Sequence, residues 1–307
     1  MEKGHKPRLH VSGIRMLEFC GEQWHRRYQL GEKIPPGVAA IAGSGTHASI
    51  EVNLNSKKDE GETVPLGQAL AVARDYVAQQ FADGNYHLCP EDREAKTADA
   101  WRDEAVDTAV GLSGLHHKEV APIIEPIGVE RPWVLEMEGY PFDLSGWIDI
   151  EEADRIIDTK TAARAPSQRD ADTSIQLSMY GLERFVTEGR IPGEFCIDAL
   201  VKTKKPKHKR IVSQRDEEDF GVLVRRIENA IKVIEAGAFT PADPGHYLCD
   251  PKWCGFYDTC PYARAKTVHA VGAPPPPKPI PLREPWEYTG ETEVEYLRRR
   301  QQEEGGA

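Results

Sequence analysis

The stretch that decides the fold is SGWIDIEEADRIIDTKTA, residues 145–162. Two apolar runs flank the polar turn EEAD, and this pattern predicts a β-hairpin. Because side chains two apart in a strand share a face, Asp158 and Lys160 are predicted to point the same way, while Ile157 and Thr159 point the other way. The hairpin therefore predicts a strand face that carries a carboxylate beside an ammonium group.

The length of the turn decides whether a second aspartate joins this face. A two-residue loop at Ala153 and Asp154 places Asp149 directly opposite Asp158. A four-residue loop over 151–154 shifts the register by two and keeps both aspartates on one face, whereas an odd loop separates them. The turn lacks Asn-Gly and Asp-Gly, so the register is a hypothesis.

Two carboxylates a few ångströms apart repel each other unless a cation lies between them. Oxygen ligands suit Mg²⁺ or Mn²⁺, and an adjacent ammonium can orient a water or stabilise developing charge on a phosphate. The groups that phosphodiester hydrolysis needs are thus supplied by Asp149, Asp158 and Lys160. The alternative for the segment taken by itself is a solvated strand face with a weak salt bridge.

The hydrophobic periodicity of the remaining chain predicts an α/β fold with a central mixed β-sheet, flanking helices and a helical N-terminal insertion. A short helix over 9–20 takes Ser12 as its N-cap, and glycines break the entry into the helix over 38–54 that carries His47 and Glu51. Further helices are predicted over 66–81, 98–120, 174–188 and 216–236, and strands over 127–135, 140–150, 155–161, 195–202 and 209–213.

Four motifs follow one another along the chain in a recognisable order. They are GSGTHASIE with His47, GWID with Asp149, Asp158-Thr159-Lys160, and QLSMY with Gln176 and Tyr180. Together they resemble the RecB-like branch of the PD-(D/E)XK nucleases, which includes CRISPR-associated RecB-like nucleases and viral exonucleases. The resemblance covers about residues 12–262 and implies a restriction-endonuclease-like core.

The resemblance implies a role for each matching residue. His47, Asp149 and Asp158 would bind the metal, with the backbone carbonyl of Thr159 as a further ligand, and Lys160 would act on the attacking water or the scissile phosphate. On one helix face, Gln176 and Tyr180 would support Lys160 and contact DNA. Glu130, on the preceding strand, is a candidate supporting group or second-metal ligand.

Three of the six cysteines lie close together near the end of the predicted domain. Cys249, Cys254 and Cys260 have the spacing C-x₄-C-x₅-C, and Cys20 lies 229 residues before the first of them. Four thiolates suit a tetrahedral four-sulfur site. Several RecB-like nucleases hold a [4Fe–4S] cluster with one cysteine before the core and three after it, although their first C-terminal pair is usually C-x₂-C. The alternatives are structural Zn²⁺ and unligated cysteines.

The chain is acidic overall, with one strongly basic run. Its formal net charge is −11, which does not favour nucleic acid as a partner but does not exclude it, because the local field decides binding. The run VKTKKPKHKR at 201–210 either follows a DNA backbone or forms a solvated hairpin tip. Its candidate DNA-binding residues are Lys202, Lys204, Lys205, Lys207, Lys209 and Arg210.

The two ends of the chain bear on location and domain boundaries. We expect a cytoplasmic protein (host cytoplasm if viral) without membrane contact, because no apolar run approaches 18 residues and the N-terminus lacks a signal-peptide core. One nuclease domain is predicted over 9–268. A proline-rich linker and charged tail follow over 269–307, where a protein partner could bind.

The sequence therefore predicts a deoxyribonuclease that uses Mg²⁺ or Mn²⁺ and degrades single-stranded DNA or DNA with free ends. An exonuclease of recombination, repair, viral DNA processing or CRISPR adaptation fits the resemblance. A catalytically inactive, cluster-bearing DNA-binding or scaffold subunit and an RNA-directed nuclease are the alternatives.

Overall fold

The structure, a computed structural model, describes residues 6–263, so the proline-rich segment and charged tail predicted over 269–307 lie outside the described residues. Its strands are β1 Arg8–Leu9, β2 Gly128–Leu135, β3 Asp143–Glu152, β4 Arg155–Ala162, β5 Glu194–Val201 and β6 Lys207–Ser213. Its α-helices are α1 Val11–Phe19, α2 Gly21–Trp24, α3 Val38–Glu60, α4 Leu66–Ala82, α5 Pro90–Ala95, α6 Ala98–Leu115, α7 Gln168–Asp172, α8 Ile175–Glu188 and α9 Glu217–Ala236.

The strands form one mixed β-sheet, as the sequence predicts. Strand β4 pairs antiparallel with β3 and parallel with β5, and β6 pairs antiparallel with β5. The β3–β4 turn is the two-residue loop, because Glu152 pairs with Arg155 and Ile150 pairs with Ile157. The predicted hairpin register is therefore confirmed up to Ile150, where the ladder between the two strands ends.

Strand β3 has different neighbours on its two edges. Strand β2 follows one edge from Leu144 to Glu151. Strand β1 pairs in parallel at Leu144, and β4 pairs at Ile150 and Glu151, so both must lie on the opposite edge. Residues 145–149 thus lie between β1 and β4, and we call this part of the edge the fork.

Helices cover both faces of the sheet. One core packs α1, α8 and α9 against residues such as Ile148, Ile156 and Phe195. The opposite core packs α3 and α6 against Ile150, Ile157 and other residues. Helices α3, α4 and α6 share a further apolar cluster, which makes up the helical insertion before the sheet. Within residues 6–263, no helix is both long and apolar enough to cross a membrane.

Two details of the predicted helices are wrong. Helix α3 is one continuous helix, and its glycines serve packing: a Cβ on Gly43 would lie 2.8 Å from Thr161 Oγ1, and one on Gly45 would lie 3.0 Å from the carbonyl oxygen of Ala73. Ser12 is not an N-cap, because α1 begins at Val11 and His10 occupies the cap position. The His10 ring instead contacts Ser145 across the fork, a tertiary contact that local sequence does not reveal.

Candidate active site

Asp149 lies where β3 and β4 separate. Its Oδ2 accepts a hydrogen bond from the backbone N–H of Thr159 at 2.9 Å, and its Oδ1 accepts one from the Tyr180 hydroxyl at 3.5 Å. The carboxylate therefore takes an N–H that would otherwise continue the strand ladder. Consequently Asp149 and Asp158 flank one gap between two strands instead of forming the predicted ladder pair.

The backbone is irregular at this point. Ile148 and Ile150 would share a face of a regular strand, yet they pack in the two opposite cores. On the neighbouring strand, Glu130 has a φ of 46° and is the single non-glycine residue with positive φ in the part of the chain that the structure describes. Such strained residues cluster at functional sites. The strain lies beside Asp149, at the position that the β2–β3 pairing skips between Val129–Ile150 and Arg131–Ile148.

Asp158 is a buried carboxylate with only one of its oxygens satisfied. Its side chain is 1% exposed, and Oδ1 accepts a hydrogen bond from Lys160 Nζ at 2.9 Å. Oδ2 has no hydrogen-bond partner among residues 6–263. Burial raises the pKa of Asp158 to about 6, and the charge of Asp149 adds to this rise while Lys160 opposes it. A buried carboxylate oxygen to which the protein donates no hydrogen bond can bind a cation.

His47 reaches the same gap from α3. Its Nδ1 lies 3.6 Å from Oε1 of Glu130 and 3.9 Å from Oδ2 of Asp149. Burial lowers the pKa of His47, but Glu130 and Asp149 outweigh that effect and the pKa is raised. Burial likewise raises the pKa of Asp149. The site therefore gathers one imidazole and three carboxylates, of which Asp158 is fully buried and the others are partly exposed.

Helix α8 contributes Gln176 and Tyr180 through a relay that differs from the predicted one. The amide of Gln176 donates to the hydroxyl of Tyr180, which in turn donates to Asp149. Tyr180 is buried, and burial raises its pKa well above the usual range. The two side chains thus orient Asp149, and no hydrogen bond joins either of them to Lys160 among the described residues.

Comparison with known proteins bears on this geometry. The model of the PD-(D/E)XK nuclease superfamily matches residues 8–262. The chain belongs to the PD-(D/E)XK nuclease superfamily. A structure from Eubacterium rectale, described as a candidate exonuclease, matches this nuclease with a TM-score of 0.53 at 13% identity, covering 80% of this chain and 87% of that one.

Two further comparisons add little to the assignment. The structure of the protein SSO0001 is 14% identical, with a TM-score of 0.33, and the match covers 83% of this nuclease and 98% of that chain. A search of curated proteins found no match. Since the Eubacterium rectale structure is also distant in sequence, it indicates the shared fold alone.

PD-(D/E)XK nucleases typically use Mg²⁺ or Mn²⁺, and the donors of this site suit such ions. Hard carboxylate oxygens come from Asp149 and Asp158, and the unsatisfied Oδ2 of Asp158 is available as a ligand. Within residues 6–263, however, no three His, Cys, Asp or Glu side chains converge closely enough to hold a metal as they stand. The donor chemistry therefore fits the ion, whereas the ligands remain apart.

The four predicted ligand cysteines influence one another electrostatically, but among the described residues they do not converge closely enough to hold a metal as they stand. The charges of Cys20, Cys249 and Cys260 each raise the pKa of Cys254, after the larger effect of burial. The backbone N–H of Ala242 donates to Cys20 Sγ at 3.3 Å. Backbone N–H groups also face the sulfurs of Cys254 and Cys260. All four are free thiols in the structure.

The basic run lies beside the active-site end of the sheet. The backbone N–H of Lys202 donates to the carbonyl of Ala162 at 2.9 Å, two residues beyond Lys160. The exposed lysines of the β5–β6 hairpin are Lys202, Lys204, Lys205, Lys207 and Lys209. The grouping of Arg210 with these lysines is corrected, because its guanidinium donates to both oxygens of the buried Asp198 at 2.8 and 2.7 Å. It ties β6 to β5 and does not join the basic surface.

Sequence reasoning missed two residues beside the site. Trp147 is 53% exposed and lies two residues before Asp149 on the same strand, a spacing that could have identified it. Arg15 is exposed on α1, and its charge acts on Lys160. No local signal links Arg15 to the hairpin, because the fold alone brings α1 to it.

Proposed function

We propose that this nuclease is a metal-dependent deoxyribonuclease that hydrolyses DNA phosphodiester bonds as an exonuclease. The observation that carries the proposal is the pair formed by Asp158 and Lys160 in the gap beside Asp149, with one buried oxygen of Asp158 unsatisfied. Recombination, repair and viral DNA processing are the proposed settings. The exonuclease mode is supported by the motif order and by the description of the Eubacterium rectale neighbour.

In this proposal His47, Asp149 and Asp158 hold the ion, and the carbonyl of Thr159 is a further ligand. When bound, Mg²⁺ or Mn²⁺ supplies polarisation of the scissile phosphate and lowers the pKa of a water. Lys160 is half-exposed, so its ammonium can orient the attacking water or stabilise charge on the phosphate.

Two supporting residues keep Asp149 in place. The hydroxyl of Tyr180 donates to Asp149, and Gln176 fixes the orientation of that hydroxyl. Glu130 stands across from His47 and holds it in the gap, or serves as a second-metal ligand.

The deciding assay is cleavage of end-labelled single- and double-stranded DNA with Mg²⁺ or Mn²⁺. Wild type is compared with Lys160→Ala and with Lys232→Ala, which removes an exposed lysine of α9. We expect shortened products from wild type and Lys232→Ala and none from Lys160→Ala. A ladder of products from one end indicates an exonuclease, whereas internal fragments contradict that mode.

The separation of the metal ligands favours one second candidate, an inactive DNA-binding subunit. Cleavage-free but tight DNA binding by wild-type protein would support it. A matched RNA strand in the same assay tests the RNA-directed alternative, because preferential loss of RNA would replace the assignment to DNA.

We further propose that Cys20, Cys249, Cys254 and Cys260 bind a [4Fe–4S] cluster, with structural Zn²⁺ as the alternative. The placement of one cysteine before the core and three after it, together with the backbone N–H groups at their sulfurs, supports this site. Anaerobically purified protein is expected to contain about four iron and four sulfide per chain. Cys254→Ser should lose them, whereas Cys89→Ser, which changes a cysteine outside the set, should retain them.

Zinc in place of iron and sulfide would contradict the cluster and retain the four ligands.

The exposed lysines of the β5–β6 hairpin are proposed to follow the DNA backbone, since Lys202 bonds to Ala162, two residues beyond Lys160.

A cytoplasmic location is proposed as well, because the cytoplasm keeps such thiols reduced.

A further inference from the structure

Two aromatic rings, those of His10 and Trp147, lie at the fork, and Trp147 is two residues before Asp149 on β3. Trp147 is 53% exposed, although it lies within a strand of the central sheet. The His10 ring stacks against it, with ring centroids 6.2 Å apart and an angle of 26° between the planes. Hydrogen-bond distances of 3.1 and 3.0 Å join His10 to the carbonyl and hydroxyl oxygens of Ser145, so one side of the stack is held rigidly.

The distance from this stack to the chemistry is short. Trp147 and Asp149 are two residues apart on β3, which corresponds to about 7 Å along a strand. A group resting on the exposed indole face would therefore lie one nucleotide or less from a phosphate at Asp149.

A cation completes the surroundings of the fork. Arg15 is exposed on α1, five residues after His10 on the segment that brings His10 to the fork. Among the described residues no salt bridge joins Arg15 to a carboxylate, and Glu18 on the same helix pairs with Arg226 instead. An exposed guanidinium without an acidic partner suits a phosphate group.

The exposed face of α1 continues the pattern away from the site. The guanidinium of Arg15 lies 5.9 Å from the ring of Phe19, which is 43% exposed. Phe19 in turn lies 6.0 Å from His246, and Tyr247 beside it is 66% exposed. Alternating planar rings and cations are the surface that single-stranded nucleic acid binds, because bases stack on the rings and phosphates contact the cations.

We propose that Trp147, stacked on His10, binds an unpaired base next to the scissile phosphate, while Arg15 binds a neighbouring phosphate of the same strand. This inference rests on the proposed nuclease function and names its substrate as single-stranded nucleic acid. Bases of a duplex are stacked on one another, so their faces are closed to Trp147. The aromatic stack therefore selects an unpaired strand at the active site.

The test is the affinity for a labelled 12-residue oligothymidylate, measured by fluorescence anisotropy with Ca²⁺ in place of Mg²⁺, alongside a duplex of equal length. Trp147→Ala is expected to weaken single-strand binding about tenfold, and Trp147→Phe about twofold, since a phenyl ring still stacks. Duplex binding should change less than about twofold in either variant. Trp253→Ala, which removes a tryptophan 59% exposed in the cysteine-rich segment, is the matched control and should bind like wild type.

The phosphate contact has its own measurement. The logarithm of single-strand affinity falls with the logarithm of salt concentration, and Arg15→Gln should reduce that slope by about 0.7. Equal single-strand affinities of wild type, Trp147→Ala and Arg15→Gln would overturn the inference. So would an equal loss of duplex and single-strand binding in Trp147→Ala, or a loss of the same size in Trp253→Ala.

Binding is measured without hydrolysis, so the two proposals fail separately. Wild-type protein that cleaves DNA but binds independently of Trp147 retains the function and loses this inference. Protein that never cleaves but loses single-strand affinity in Trp147→Ala retains the aromatic site and loses the nuclease proposal.

Discussion

Two aspartates on neighbouring strands differ in how the protein treats a buried charge. Asp158 on β4 is 1% exposed and Asp198 on β5 is 0% exposed. Asp198 receives two hydrogen bonds from Arg210, and Nε2 of His208 lies 3.0 Å away. Asp158 has Lys160 on one oxygen and nothing on the other within residues 6–263.

Their pKa values follow the number of partners. Burial raises the pKa of both carboxyls, but Arg210 and His208 outweigh burial at Asp198 and lower its pKa, whereas the pKa of Asp158 rises to about 6. A carboxylate satisfied by the protein stabilises the fold, and one left unsatisfied is available to a ligand. Burial alone therefore does not distinguish structural from functional aspartates.

Removing the charge of Asp158 should have the largest effect, and on activity alone. Asp158→Asn is expected to lower metal-dependent cleavage about 1000-fold, which corresponds to about 4 kcal/mol of activation free energy. Its metal-free stability should equal or exceed that of wild type, because an unsatisfied buried charge is removed. Cleavage rates and urea unfolding in EDTA measure both effects. A marked loss of stability would show that the folded protein depends on the Asp158 charge, as it does on that of Asp198.

The same substitution at Asp198 should show the reverse balance. Asp198→Asn leaves Arg210 buried without its charged partner, so the free energy of unfolding is expected to fall by about 3 kcal/mol at pH 7. Urea unfolding gives this value, and the cleavage rate measured well below the unfolding temperature should stay within about fivefold of wild type. A stable but inactive Asp198→Asn protein would mean that Asp198 serves the chemistry.

The stability loss of Asp198→Asn should depend on pH if the ionised carboxylate of Asp198 stabilises the fold. The folded pKa of Asp198 is lowered, so its stabilisation is present above the unfolded pKa of about 3.9 and is lost as pH falls through the folded pKa. The charged and titratable groups around it are Arg210, His208 and His116. Burial lowers the pKa of His116 to about 3. The difference between wild type and Asp198→Asn should therefore be full at pH 7 and shrink below about pH 4.

Metal should stabilise the protein through Asp158. At a concentration of Mg²⁺ or Mn²⁺ about 100 times its dissociation constant, binding adds about 2.7 kcal/mol to stability. For a domain of this size the Tm of wild type should rise by about 5 °C. The Tm of Asp158→Asn should rise by less than about 1 °C, whereas equal shifts in both proteins would place the ion elsewhere.

The smallest effect concerns the strained backbone at Glu130. Glu130→Ala and Glu130→Gly both remove the carboxylate, but glycine adopts the φ of 46° without strain. Glu130→Gly is therefore expected to be more stable than Glu130→Ala by about 1 kcal/mol in urea unfolding. Equal stabilities would show that β2 relaxes at this residue, and that the local geometry of the site does not depend on this position.

The sequence predicted most of what depends on periodicity. Alternation and the EEAD turn placed β3 and β4 but left the loop length open between two and four residues, and the amphipathic stripe of α9 runs over Glu217–Ala236, close to the predicted 216–236. These features are local, so the chain carries them in neighbouring residues. The separation of β3 from β4 after Ile150 was not predictable, because it depends on Asp149 taking the N–H of Thr159.

Partners that arrive from distant segments were missed for the same reason. Arg210 was grouped with its basic neighbours in the sequence, but the structure pairs it with Asp198 on the adjacent strand. Gln176 and Tyr180 were expected to support Lys160, and the helix instead aims them at Asp149. The glycines of α3 were interpreted as breaks because only tertiary packing reveals why a helix needs them.

The pairing of β1 with the middle of the sheet has a consequence for synthesis. Arg8 and Leu9 pair with Asp143 and Leu144, and Arg26 donates to Thr259 Oγ1 at 2.9 Å. A chain growing on a ribosome is made from its N-terminal to its C-terminal end, so Arg8 and Leu9 must wait for residues made more than a hundred codons later. Arg15 and His10 therefore reach the fork only after the hairpin is complete, and a partly made chain lacks the surface on which we propose that the strand binds.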